Sequence, residues 1–198
     1  MCKNILYLHG FASAGNNGTA THLRNMLYEH GFSVISPDIP PMPTEAMAML
    51  RKIVDELQPI LIIGTSMGAF YGEQMHGIPR ILVNPSFHMA RLLTFKGMGK
   101  REYRNKREDG AKDFKVDKEM IAQFKEVEKS SFQQITPKEK ELVWGLFGLQ
   151  DKNVNCQPDF KKHYGTAHFI TYEGEHYLND LALKKTVFPL VKQILQLP

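Results

Sequence analysis

The sequence predicts one α/β domain built on a six-stranded, mostly parallel sheet with helices on both faces. Three observations carry that expectation. Short apolar runs alternate with amphipathic helical stretches along the chain. Runs such as Ile60-Leu61-Ile62-Ile63 show no polar alternation, as strands buried on both faces do not. That run leads directly into Gly64-Thr65-Ser66-Met67-Gly68, a strand–turn–helix sequence. The 198 residues suit a single domain over 1–198, and 42% hydrophobic with 23% charged residues describes a globular chain rather than a disordered one.

The strand runs are Asn4–Leu8, Ser33–Ser36, Ile60–Ile63, Ile81–Asn84, Leu142–Phe147 and His168–Tyr172. Between them, Leu23, Met26 and Leu27 line one helix that Gly31 is suited to end. Met47, Leu50, Val54 and Leu57 share a face of a second, which Thr44 can cap. Leu183, Val187, Val191 and Ile194 form the buried stripe of a last helix. From Phe87 to Lys140 no strand pattern is legible, and the composition turns charged and helical. This interval, about 87–140, reads as a helical cap inserted over the sheet edge, because so long a crossover exceeds what the sheet needs.

Composition narrows the partners. A net charge of +4 and a pI of about 9 require no more than a solvated basic surface, and no nucleic-acid motif surrounds the basic residues. Cys2 and Cys156 offer neither a disulfide framework nor a CxxC spacing, and each reads as a small isolated thiol. The eight histidines are scattered without an HExxH, and no dinucleotide fingerprint occurs, so neither metal nor cofactor is expected. The apolar run Ile5–Leu8 is too short for a secretion signal, and no stretch could span a bilayer; the expectation is a cytoplasmic protein without a membrane partner.

The chemistry concentrates at Ser66. G-x-S-x-G at the end of a buried strand holds the serine on a sharp turn, with its hydroxyl above the sheet and glycines on either side where strand and helix approach. This is the nucleophile elbow of the α/β-hydrolase fold, in which the acid and then the histidine follow along the chain. Asp151 lies just past the end of the fifth strand run, and His176 occupies the equivalent loop after the sixth, both at the sheet edge where such sites form. Asp180 and Glu175 are weaker substitutes for the acid. His163 and His168 lie at the wrong end of a strand, His76 on the helix leaving the elbow, and His88 at the start of the insertion. The oxyanion donors expected are the backbone N–H groups of Met67, directly after the serine, and Phe11, in the loop after the first strand. His9 reads as a structural support for that loop.

The chain resembles the YqiA/YcfP-like group of small α/β-hydrolases. Tyr7-Leu8-His9-Gly10-Phe11, Pro40-Pro41-Met42-Pro43, Gly64-Thr65-Ser66-Met67-Gly68, Val83-Asn84-Pro85, Asp151 and Gly174-Glu175-His176 carry the likeness, which spans nearly the whole sequence. It departs over Ala12–Thr19, beside the site, where relatives usually carry a proline and a lysine. The resemblance implies an esterase with Ser66 as nucleophile, Asp151 as acid and His176 as base, the same set that the residues select. Because the first strand already carries the oxyanion loop, the strands should lie in the order 2-1-3-4-5-6.

The expected substrate is therefore a small-molecule carboxylic ester or related acyl compound. A thioesterase acting on an anionic acyl carrier is the alternative, motivated by Lys96, Lys100, Arg101, Arg104, Lys106 and Arg107. Glu102, Glu108 and Asp109 interrupt that cluster, which favours basic groups turned to solvent and aromatic residues of the insertion lining the acyl pocket. A non-catalytic binding protein on the same fold is the remaining alternative, and an intact serine, acid and histidine set speaks against it.

Overall fold

Six strands, all paired in parallel, form the centre of the structure, a computed structural model that describes residues 3–197. They are β1 (Lys3–Leu8), β2 (Phe32–Ile35), β3 (Leu61–Thr65), β4 (Arg80–Val83), β7 (Val143–Gly148) and β8 (Phe169–Tyr172). The sheet order β2-β1-β3-β4-β7-β8 is the expected 2-1-3-4-5-6 when these six are counted among themselves. Register aligns Leu8 with Gly64 and Thr65 with Val83, so the carboxyl ends of β1, β3 and β4 stop at one level.

Alternate residues of each strand face opposite ways, and both ways are apolar. Ile5, Tyr7, Leu61, Ile63, Ile81 and Val83 pack under α1 (Gly18–Tyr28) and the C-terminal helical run 180–195. Leu6, Leu8 and Ile62 pack under α2 (Pro43–Leu57) and α3 (Met67–Glu73) on the other face. Each large side chain removed from water in these two layers contributes roughly 1.5–3 kcal/mol, which is why the unbroken apolar runs of the sequence become central strands. The stripe on the last helix is buried at Leu183, Val187 and Val191. Asn17 caps α1 by accepting the Ala20 N–H at 3.0 Å, and Gly31, at φ +79°, turns the chain into β2.

Helix α2 begins one residue before the expected Thr44 cap. Pro43 takes the first position, where its missing N–H leaves no bond unmade, and Met42 stands at the cap without a side-chain bond.

The insertion between β4 and β7 differs from the expected all-helical cap. It contains α4 (Met89–Lys96), α5 (Lys118–Glu128) and the short α6 (Pro137–Glu141), but also an antiparallel hairpin of β5 (Gly99–Glu102) and β6 (Asp113–Val116). The hairpin hides in the sequence because Gly-Lys-Arg-Glu has no apolar face, and pairing is reinforced by charge, with Lys100 Nζ 2.9 Å from Asp113 Oδ2. At the opposite edge of the sheet from the loops after β3 and β7, the fully buried Arg80 pairs with Glu139, which also accepts the Gly77 N–H and so seats the returning chain on β4. Helix α7 (Gln157–Tyr164) connects β7 to β8. Cys156 is buried and Cys2 lies outside the described residues. Among the described residues no helix is long and apolar enough to cross a membrane.

Candidate active site

Ser66 sits between β3 and α3 with φ +54° and ψ −114°, a conformation that costs an L-residue of order 1–3 kcal/mol and persists only where the surroundings enforce it. The enforcement is visible in the two flanking glycines. A Cβ on Gly68 would lie 2.0 Å from the Leu8 carbonyl oxygen, and one on Gly64 would lie 2.6 Å from the Ala69 Cα. The helix therefore starts tight against β1 and β3, and its first residue has to lift the serine out above the strand ends.

The loops after β7 and β8 bring two side chains to that point. The Ser66 hydroxyl donates to His176 Nε2 at 2.9 Å, and His176 Nδ1–H donates to Asp151 Oδ2 at 2.7 Å. The other Asp151 oxygen accepts the Asn153 and Val154 amides at 2.7 and 3.2 Å. Burial pushes the Asp151 pKa upward, but the His176 hydrogen bond and charge, with those two amides, outweigh it and hold the carboxyl below its ordinary value. An ionised carboxylate can only accept, which places the imidazole proton on Nδ1 and leaves Nε2 free to take a proton from the serine. Of the other acids weighed, Asp180 pairs with His22 at 2.9 Å and Glu175 is exposed. His76 and His88 pair with Glu139 and Asp159, while His163 and His168 stack on Phe132 and Trp144.

The loop after β1 forms the facing wall. Gly10 lies so near the serine that a Cβ there would be 3.4 Å from Ser66 Cβ, and Phe11 lines the same cavity. Met67 heads α3, so its N–H has no acceptor within the helix. His9 is buried and braces the loop: Nε2 accepts the Ile39 N–H at 3.0 Å, so Nδ1–H donates to the Gly10 carbonyl at 2.8 Å. Burial lowers its pKa to about 4, so it stays neutral and keeps that tautomer.

Three further residues belong to this arrangement, and the sequence did not single out their roles. The buried Ser86 hydroxyl lies 3.1 Å from Ser66 Oγ; since the Ser66 proton points to His176, Ser86 donates. Asn84 links the loops after β4, β7 and β8. Arg104, on the hairpin loop, donates to the Phe11 carbonyl at 2.7 Å through Nη2 and to the Ala12 carbonyl at 2.9 Å through its backbone N–H. Its guanidinium also lies 4.6 Å from the centre of the Tyr177 ring, next to His176. The sequence signals are indirect: Ser86 and Asn84 stand just past a strand at the site edge, with Asn84 in the Val83-Asn84-Pro85 stretch, and Arg104 belongs to the basic cluster, but its contacts with Phe11 and Ala12 are long-range.

The cavity at Ser66 measures about 540 Å³, in the range of small-molecule sites. Its apolar wall includes Met89, Leu92 and Leu93 of α4 and Leu178 and Leu183 near the C-terminus. The expected division of the insertion holds only in part: Lys96, Lys100, Arg104 and Lys106 are exposed to solvent, but the aromatics do not line the cavity. Phe124 is buried against Phe70 and Tyr71, while the half-buried Phe132 packs on Phe87, and Phe114 on Phe11 and Tyr103, so none of these aromatics lines the cavity. Lys96, Arg101 and Arg104 do line it, and among the described residues none of the three has an acidic partner, whereas Lys100 and Arg107 pair with Asp113 and Asp109.

Sheet order and the tight strand–turn–helix at Ser66 together define an α/β-hydrolase fold, and solved structures agree. Est1E from Butyrivibrio proteoclasticus is similar with a TM-score of 0.65 at 17% identity, covering 98% of this chain and 89% of that one. Mouse alpha/beta hydrolase domain-containing protein 10 has a TM-score of 0.65 at 14% identity, covering 98% and 89%. The thioesterase domain from the curacin biosynthetic pathway gives 0.58 at 14%, covering 98% and 91%. Residues 4–190 match the model of the uncharacterised protein family UPF0227, and the chain belongs to that family, the YqiA/YcfP group.

Proposed function

We propose that this protein is a serine hydrolase that cleaves a carboxylic ester through an acyl-enzyme. The observation that carries the reading is the unbroken chain of hydrogen bonds from Asp151 through His176 to Ser66, 2.7 and 2.9 Å long, ending on a serine held in a strained elbow. Ser66 Oγ attacks the ester carbonyl while His176 Nε2 takes its proton. Asp151 holds the imidazole orientation and stabilises the imidazolium without itself taking the proton. Negative charge on the carbonyl oxygen falls to the Met67 and Phe11 amides, each such donor being worth about 10²–10³ in turnover. The imidazolium returns its proton to the departing alcohol. A water then repeats the sequence on the acyl-enzyme and frees the acid and Ser66.

A thioesterase reading on an anionic acyl carrier uses the same steps with a thiol leaving. Lys96, Arg101 and Arg104 on the cavity wall, without acidic partners, favour keeping it as the second reading.

The test is a fluorophosphonate probe together with nitrophenyl esters of graded acyl length. Wild type should be labelled at Ser66, and Ser66→Ala should lower turnover by on the order of 10⁶ with the fold intact. His176→Ala should cost nearly as much, and Asp151→Asn about 10⁴. Undiminished labelling of Ser66→Ala overturns the reading; full activity in Asp151→Asn removes Asp151 from it.

A further inference from the structure

Outside the Ser66 cavity, one cluster of side chains converges without a role in the chemistry above. Cys156 ends the loop after β7 and precedes α7, and Asp159 stands three residues on, so both sit at the first turn of that helix. His88 arrives from the other side, at the start of α4, with Nε2 3.1 Å from Asp159 Oδ2. One donor atom from each of the three lies within 4.8 Å of the other two. The His88–Asp159 contact alone would be an exposed ion pair of little consequence. It does not explain why a thiol is brought to the same point.

The chemistry of the set is selective. Sulfur and imidazole nitrogen prefer zinc-like cations over magnesium or calcium, which take oxygen ligands. A thiolate, a carboxylate and a neutral imidazole sum to two negative charges, balancing one divalent ion. Tetrahedral zinc, with bonds of about 2.0–2.3 Å, sets its ligands about 3.3–3.8 Å apart. Side-chain exposures of 48% for His88 and 30% for Asp159 leave both free to rotate inward, while buried Cys156 supplies the fixed corner. The backbone amides of Phe87 and His88 favour the Cys156 thiolate and so work against the burial that disfavours it. Burial otherwise keeps the thiol protonated, with its pKa pushed up to about 11, so metal binding breaks the S–H bond, forms a metal–sulfur bond and gives one proton to solvent.

We infer that His88, Cys156 and Asp159 form a site for one zinc-like divalent cation, with a fourth position open to water. Such an ion joins the segment after β4 to the segment after β7. His88 lies two residues past Ser86 and Cys156 five past Asp151. The site is independent of the hydrolase reading, since none of its ligands takes part in the proposed reaction.

Cobalt(II) titrated into the full-length protein serves as the probe. The expected result is one equivalent bound, with thiolate-to-cobalt charge-transfer absorption that zinc abolishes and magnesium or calcium does not. His88→Ala and Asp159→Asn, both at partly exposed positions, should each weaken zinc binding by at least tenfold, and Cys156→Ser should remove the charge-transfer band and weaken zinc by about 100-fold or more. His163→Ala should change nothing. Zinc should raise the melting temperature of wild type but not of His88→Ala. Absence of the charge-transfer band in wild type, or zinc binding by His88→Ala and Asp159→Asn as tight as in wild type, overturns the assignment. Because His88→Ala and Asp159→Asn leave the buried thiol in place, the outcome stands even if Cys156→Ser fails to fold.

Discussion

The Asn84 side-chain oxygen accepts the Gly148 backbone N–H at 2.7 Å, and so fastens the end of β4 to the end of β7, from which the Asp151 loop leaves. Its amide nitrogen lies 3.0 Å from both the Glu175 and His176 carbonyl oxygens and 2.9 Å from the Tyr172 hydroxyl. One buried side chain thus sets the spacing of the acid and histidine loops.

Asn84→Ala should lower stability by about 1–3 kcal/mol, because it strands a buried amide and two carbonyls. It should also lower kcat by on the order of 10², the scale of an ångström-level misplacement. Asn84→Asp keeps the acceptor for Gly148 but sets a carboxylate against two carbonyl oxygens, and should restore neither quantity. Urea unfolding at constant m-value with ester kinetics checks both; a kcat for Asn84→Ala equal to wild type would show that the loops hold their spacing without it.

Arg104 makes a different prediction, for the loop after β1. It grips the Phe11 and Ala12 carbonyls and lies over Tyr177 at the cavity wall, so in the proposed mechanism it would position the Phe11 amide. Arg104→Ala should lower kcat for neutral esters about 10–100-fold with little change in KM, since one oxyanion donor loses its alignment. Arg104→Lys, which retains one donor but not the planar fork, should recover part of the loss. A rise in KM with kcat unchanged would instead make Arg104 a substrate contact.

Much of this was legible before the fold. Ser66, Asp151 and His176 follow the ends of β3, β7 and β8, and strand ends are what unbroken apolar runs mark most clearly. Glycine at positions 64 and 68 has a steric reason that strand-to-helix geometry makes readable from spacing alone. The hairpin at 99–116 was not legible, because its strands carry one ion pair, Lys100–Asp113, and a single apolar face on β6. Nor were the bonds of Asn84 and Arg104, whose partners lie 64 and 93 residues away and exist only after the loops assemble. Local composition turns the basic residues of the insertion to solvent, and Lys96, Lys100, Arg104 and Lys106 are exposed; that Lys96, Arg101 and Arg104 also border the Ser66 cavity depends on how the insertion folds back, which composition does not contain.

His9 ties stability to pH. Its pKa falls from 6.5 in the unfolded chain to about 4 in the fold, chiefly through burial; the Gly10 carbonyl and Asp38 oppose that shift, while Arg107 and Arg104 add to it. Between those values the unfolded chain binds the extra proton, so stability decreases as pH falls from 6.5 towards 4. From pH 7 to pH 5 the cost should be about 2 kcal/mol from this residue alone. His9→Asn removes the titration, and its urea midpoint should fall less over that interval than that of wild type. Parallel pH profiles in the two proteins would contradict the buried, neutral imidazole.

The cations on the cavity wall decide between ester and carrier substrates. Arg104 is engaged with the Phe11 and Ala12 carbonyls, which leaves Lys96 and Arg101 as the groups to test. Arg101 already donates to the Gly97 carbonyl at 2.7 Å and the Lys96 carbonyl at 3.2 Å, so its charge is anchored at the end of α4 but not neutralised. Neutral nitrophenyl esters carry nothing for these charges to bind, and Lys96→Gln with Arg101→Gln should leave their kcat/KM within about twofold, as for exposed charges generally. An acyl-CoA substrate carries phosphates that would meet both groups at the cavity mouth. If the carrier reading holds, the double variant should raise KM for acyl-CoA on the order of tenfold with kcat preserved, the signature of lost uniform binding. Wild type should then lose the same preference as salt shortens the screening length from about 10 Å at 0.1 M to about 3 Å at 1 M. Equal, salt-insensitive kinetics on acyl-CoA in wild type and double variant would leave the simple ester as the substrate class, with Lys96 and Arg101 serving the fold of the insertion.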